Sequence, residues 1–178
     1  MATITTFMPL VTYPEPVDLS AVQAASDFVV TVGGRLTVTA YPVDIPQVST
    51  PLGGMLLDLP ALARAAEDKS VADAATYRKA IEAHVGGQAN MGFLTQRVGL
   101  GAVNDAAVET ARTFDLCVVP WSADATTALD LIQALIFGAG RPVVMVPAGP
   151  IARHLDHIAI AWDGSRVAAR AMFDALAL

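Results

Sequence analysis

Asp163-Gly164-Ser165 is the triplet whose residue types and position best suit a ligand contact. It follows an alternating apolar run, Ile158, Ile160 and Trp162, and precedes a helical pattern. That puts it at the carboxyl end of a strand, where open α/β folds place their sites. Turn chemistry explains the same residues without a ligand, since Asp caps a helix and Gly permits the bend. Gly99-x-Gly101 opens a helix after a strand, as a dinucleotide fingerprint does, but the third glycine position holds Asn104. A tight turn accounts for both glycines. Cys117 lies mid-strand among apolar neighbours and reads as a buried structural thiol. His154 and His157 have no Cys, Asp or Glu constellation to complete a metal site. His84, near a helix end, reads as a favourable C-terminal cation. There is no P-loop and no nucleophile elbow.

The elements that must position these groups alternate between strand and helix. Residues 3–10 (TITTFMPL) read as a strand that the prolines of VTYPEP end. Asp18 caps a helix with the stripe Leu19, Val22, Ala25 and Val29, closed by Gly33-Gly34. Leu36, Val38 and Ala40 alternate with Arg35, Thr37 and Thr39 in a second strand. Pro42 to Asp58 reads as a long loop, either a flap or disordered. A helical region follows in two pieces, with Ser70 capping the second and Asp73 completing the box. Val71, Ala74, Tyr77, Ile81 and Val85 form its inner face, and Gly86-Gly87 closes it. Residues 92–98 (GFLTQRV) read as an edge strand and 102–114 as a helix. DLCVVPW over 115–121 is a buried strand, and 126–137 is a helix apolar around most of its circumference, deeply buried or in an interface. PVVMVP, Pro142 to Pro147, has the prolines of an edge strand. The pattern predicts an α/β fold with an open parallel five-stranded sheet and helices on both faces, Rossmann-like.

With 178 residues, 54% hydrophobic and 16% charged, the chain has enough apolar material for one domain and a fragment. A net charge of -6 without a basic cluster argues against nucleic-acid binding. No apolar run approaches the roughly 18 residues of a membrane span. The N-terminus lacks a basic start and a small-residue cleavage site, and the single cysteine gives no disulfide framework, so a cytoplasmic location is expected.

FMPLVTY followed by LSAVQAASDFVV has the same strand, turn and helix plan as IAIAWDGSRVAARAMFDAL. The repeat implies a first domain over 1–147, a linker over 148–156 and, over 157–178, the first strand and helix of a second domain. The apolar strand HIAIAW needs cover, from its own domain or by crossing into a partner.

IAIAWDGSRVAARAMFDALAL resembles the opening of a universal stress protein domain. GLGAVNDAAVETA, FDLCVVP and RPVVMVP, in that order, resemble the later half of one. The resemblance implies an adenine nucleotide alpha hydrolase-like sheet whose edge strand pairs with its counterpart in a second domain. ATP-binding members carry Gly-x-x-Gly and then Gly-Ser or Gly-Thr after the fourth strand. Here that stretch reads PWSADATTALDLIQALIFGAGRP, with Trp121, Ser122, Ala123 and Asp124 for the glycines and Leu129-Asp130 near the Gly-Ser position. Side-chain Cβ atoms block the close approach of phosphate, and the two aspartates repel it. Where such members place an Asp after the first strand this chain has Tyr13-Pro14, while the tail keeps Asp163. Asp163, Gly164 and Ser165 are then one piece of an incomplete nucleotide site, and Trp121 is expected to fill the first domain's phosphate space.

The resemblance implies a non-enzymatic stress-response protein whose first domain dimerises. No cofactor is expected for this chain; ATP is possible for an intact two-domain protein. A homodimer would use the Pro142–Pro147 edge strand, the Leu131–Phe137 helix or the C-terminal tail. One alternative is an ATP-binding or ATP-hydrolysing member whose site is completed by a partner or by the second domain. Another is a purely structural assembly module. An ATP-using α-hydrolase would need a Gly-Ser loop after the first strand, which TYPEPVDLS does not supply.

Overall fold

The structure, a computed structural model, describes residues 3–46, 58–85, 91–122, 126–151 and 157–176. In chain order the elements are β1 (Thr5–Val11), α1 (Leu19–Thr31), β2 (Arg35–Tyr41), β3 (Val43–Asp44), α2 (Leu59–Val85) and β4 (Met91–Thr95). They continue with β5 (Val98–Gly99), α3 (Val103–Ala111), β6 (Leu116–Trp121), α4 (Thr126–Gly138), β7 (Val143–Pro147) and α5 (Arg166–Ala175). The main sheet is five-stranded and parallel, in the order β4-β2-β1-β6-β7, as the alternation predicts. The first part of GFLTQRV, in β4, and PVVMVP, in β7, lie at its two edges.

Central strands of a parallel sheet are buried on both faces, and β1 meets that condition. Its Met8 and Leu10 join Leu36, Val38, Leu116 and Val118 in a core under α1 and α2. Phe7 and Val11 point the other way, with Cys117 and Val119, under Leu131 and Leu135 of α4 and Ala107 of α3. The result is a three-layer sandwich with α1 and α2 on one face and α3 and α4 on the other. Asp18 caps α1 as expected, accepting the Ser20 N–H at 2.9 Å. At the amino ends of β1 and β6, Asp115 accepts from both the N–H (2.9 Å) and the hydroxyl (2.6 Å) of Thr5, bonds that hold its pKa below the ordinary value.

Three local expectations are corrected. The strand expected over 92–98 breaks at Gln96-Arg97, and its second part, β5, pairs with β3 inside the segment read as a loop. Pro42 is the cause: it has no N–H to continue the ladder, but its carbonyl still accepts from Val98 at 3.0 Å. Residues 47–57 of that expected loop, and Gly86-Gly87, lie outside the described residues.

The two helical pieces are one helix, α2, begun by Asp58, which accepts the Ala61 N–H at 3.0 Å. Ser70 is not a cap. It is buried in mid-helix and accepts the Val43 N–H at 3.0 Å. Thr12 spends its single hydroxyl proton on the Tyr41 carbonyl, so the Ser70 hydroxyl donates to Thr12 Oγ1 at 2.5 Å. Asp73 instead meets Lys69 at the surface.

The third correction concerns the tail. Residues 157–163 pair with no strand among the described residues, and Ile158 is 68% and Trp162 57% exposed. A strand's hydrogen bonds need a neighbour, and β7 ends the ladder of this sheet. The helix after it does form, as α5.

The hydroxyl chain gives a test that separates Ser70 from the capping reading. Ser70→Ala leaves the buried Val43 N–H without its acceptor and is expected to cost about 1–3 kcal/mol in urea unfolding. Asp73→Ala, which a capping box would make the costlier change, is expected to cost less than about 0.5 kcal/mol.

Candidate functional site

From β1 the chain runs outward through β2 and β4, then returns to the other side of β1 with β6 and β7. The crevice between the carboxyl ends of β1 and β6 is therefore the switch point, the default ligand position of an open α/β sheet. Thr12 and Tyr13 reach it from β1, and Trp121 and Ser122 from β6. Thr12 is consumed by the hydroxyl chain to Ser70 and Tyr41. Trp121 is half-buried and packs against the core that contains Phe7, Val11 and Leu131. Its indole Nε1 is shielded from water and has no acceptor among the described residues. The expected phosphate-loop residues Ala123 and Asp124 lie outside the described residues. Leu129 and Asp130 are exposed on the first turns of α4.

Beside the switch point, beyond the ends of β1 and β3, a cleft of about 320 Å³ opens against the start of α2. Tyr13, Ile45, Leu59, Leu62, Ala63 and two prolines supply most of its walls, and among the described residues no charged side chain and no glycine lines it. Tyr77 supports this edge from below, donating to the Val17 carbonyl at 2.8 Å. Burial, and next the charge of Asp73, push its phenol well above the ordinary tyrosine value.

Asp163, Gly164 and Ser165 stay together but line neither this cleft nor the larger one below. Asp163 Oδ1 accepts the Ser165 N–H at 2.8 Å, and Ser165 Oγ accepts the Ala168 N–H at 3.1 Å. Gly164, at φ +78°, takes the left-handed conformation that the turn needs. Hydrogen bonding from Ser165 holds the exposed Asp163 carboxyl below its ordinary pKa. Each polar group of the triplet thus has the partner that the capping account assigns it, and Ser165 is the N-cap of α5.

The remaining candidates resolve as local structure. Gly99 belongs to β5, and Gly101, at φ +82°, makes the turn before α3. His84 sits in the last turn of α2 and meets Asp27 of α1 at 2.9 Å, a partner that the sequence did not suggest. His157 is exposed, and His154 lies outside the described residues. Among the described residues no three His, Cys, Asp or Glu side chains gather as a metal site, and no helix is long and apolar enough to cross a membrane.

A second cleft lies outside the site residues that the sequence singles out. It measures about 600 Å³ and lies between α5 and the amino end of β7, with Arg141, Arg166 and Arg170 on its walls. The signal for it was the spacing of Arg166, Arg170 and Asp174, which puts one polar line along α5.

No protein-family model matches the chain, and no curated protein matches it. Among solved structures it is similar to a protein of the universal stress protein family from Burkholderia pseudomallei. The TM-score is 0.50 at 17% identity, covering 80% of this chain and 96% of that one. It is also similar to a universal stress protein in complex with cAMP, with a TM-score of 0.49 at 18% identity, covering 83% of this chain and 100% of that one. The first likeness shows the fold alone, an open, five-stranded parallel α/β sheet.

Cys117 is buried, as expected, and burial pushes its thiol up to about 11, with Arg141 opposing the shift. A thiol held neutral in the fold adds nothing to the pH dependence below the ordinary thiol range. As pH climbs from that range towards about 11 the unfolded chain ionises first, so stability falls. At pH 8, labelling by a thiol reagent is expected to be slowed about a hundredfold or more relative to the chain in urea. Equal rates would refute the buried, structural role.

Proposed function

We propose that the chain is a non-enzymatic protein of the universal stress protein type whose folded domain acts by assembly and not by holding a nucleotide. The observation that carries this reading is the cleft at the carboxyl edge: its described lining is apolar, and among the described residues it offers a triphosphate neither a cation nor a glycine cradle. Trp121, packed at the switch point, supports the same conclusion. Calorimetric titration of the chain with magnesium-ATP is expected to show no stoichiometric binding. One-to-one binding tighter than about 10 μM would overturn the reading and favour the ATP-using alternative.

The assembly we propose is a homodimer. Phe137 at the end of α4 is 87% exposed, and Met145 on edge strand β7 and Ile158, Ile160 and Trp162 in the tail are exposed as well. Monomeric proteins seldom leave so many large apolar groups in water beside an unpaired sheet edge. An apolar tail without a ladder, followed by a capped amphipathic helix, also suits the opening strand and helix of a second similar domain. Light scattering at tens of micromolar is expected to give twice the chain mass. Phe137→Glu with Trp162→Glu is expected to give the monomer mass with unchanged circular dichroism. A monomeric unsubstituted chain would rule the dimer out.

A further inference from the structure

We propose that the cleft between α5 and the amino end of β7 binds a single-chain amphiphile with an anionic head, an alkyl carboxylate in its simplest form. Its volume of about 600 Å³ is within the range of small-molecule sites. One wall is the start of β7, Pro142 to Val144, with Ile136 of α4 beside it. The opposite wall is a strip of α5 on which two lines run side by side. Val167 and Ala171 make the apolar line, and Arg166, Arg170 and Asp174 make the polar one.

The charge is concentrated here against the trend of the molecule. The chain has a net charge of -6 and only 11 Lys and Arg, yet among the described residues three arginines and a single carboxylate line this cleft. The cationic groups are also partly pre-oriented. Arg141 donates from Nε and Nη2 to the Arg112 carbonyl at 3.2 and 2.9 Å. Arg112 itself donates to the Gly138 carbonyl at the end of α4, at 3.4 and 3.3 Å. Arg170 is held through Nε by Asp174 at 3.0 Å, which leaves its terminal nitrogens without a partner among the described residues. A fixed guanidinium loses little freedom when it binds an anion, and its planar fork matches a carboxylate.

An apolar floor beside a cationic rim therefore asks for a ligand with both characters. A simple inorganic anion would leave the Pro142–Val144 wall in water, and an uncharged alkane would leave the arginines unanswered. The cleft opens at the amino end of β7, whereas the switch point lies at the carboxyl ends, so it is separate from the site considered above.

The test is calorimetry on the full chain with dodecanoate below its micellar concentration, with dodecanol and acetate in parallel. One-to-one binding of dodecanoate alone is expected. It should weaken about tenfold or more in Arg166→Gln/Arg170→Gln. Ala171→Trp, which fills the cleft from the helix side, should abolish it. Both changes are on the surface of α5, and circular dichroism checks that the fold is kept. The proposal is overturned by any of four results: no dodecanoate binding, equal binding of dodecanol, binding indifferent to both variants, or a dimer that dissolves in Ala171→Trp. The last would make a second copy the occupant.

Discussion

The hydroxyl of Ser70 ties together the edge of the sheet on which a ligand site would be built. It accepts from Val43 at the start of β3 and donates to Thr12 at the end of β1, and Thr12 passes the chain on to the carbonyl that ends β2. Three strand ends are thereby fixed to one position of α2. In a buried setting each bond of such a chain polarises the next, and losing one leaves an unpaired polar group with no water to satisfy it. The length of α2 follows from this. A helix interrupted at Ser70 could not present that hydroxyl to the sheet while Tyr77, two turns on, reaches the Val17 carbonyl.

The same arrangement lies beside the place where open α/β proteins hold their ligands. Thr12 turns its only proton inwards, and Trp121, at the end of β6, packs against the core. What remains open beside them is apolar. Three of the 11 Lys and Arg, Arg141, Arg166 and Arg170, line the cleft at the amino end of β7 instead, so the two clefts differ in the chemistry they offer.

The sheet was legible in the sequence because a central parallel strand must be apolar on both faces, and TTFMPLV and LCVVPW can hardly be anything else. The edges were legible from their prolines and polar residues. Ser70 was misread because Ser-x-x-Asp is a genuine cap signature, and nothing local reveals that Val43 and Thr12 need a partner there. Pro42 was read as the start of a loop, when it only removes one donor from a ladder that resumes at once. As for the candidate site, the sequence shows Trp121 at the end of a buried strand and Ser165 before a helix, where the structure has them, but gives no hint that Arg141 would face Arg166 and Arg170 across a cleft. Such a pairing depends on where α5 comes to rest, and residues 25 apart carry no periodic relation.

The tail shows why some of its structure forms and some does not. A helix closes its hydrogen bonds within itself, and α5 has in addition the Ser165 cap and the Arg170–Asp174 pair. A strand closes its bonds only on a neighbour, so HIAIAW, however apolar, stays out of the ladder. Yet a helix as short as the 10 residues of α5 is marginal on local bonds alone and draws most of its stability from what it packs against. Across the cleft its Val167 and Ala171 face the start of β7 without closing on it. Whatever fills that gap would bury the apolar line of α5 and answer its arginines at once, so occupancy of the cleft and order in the helix are thermodynamically linked.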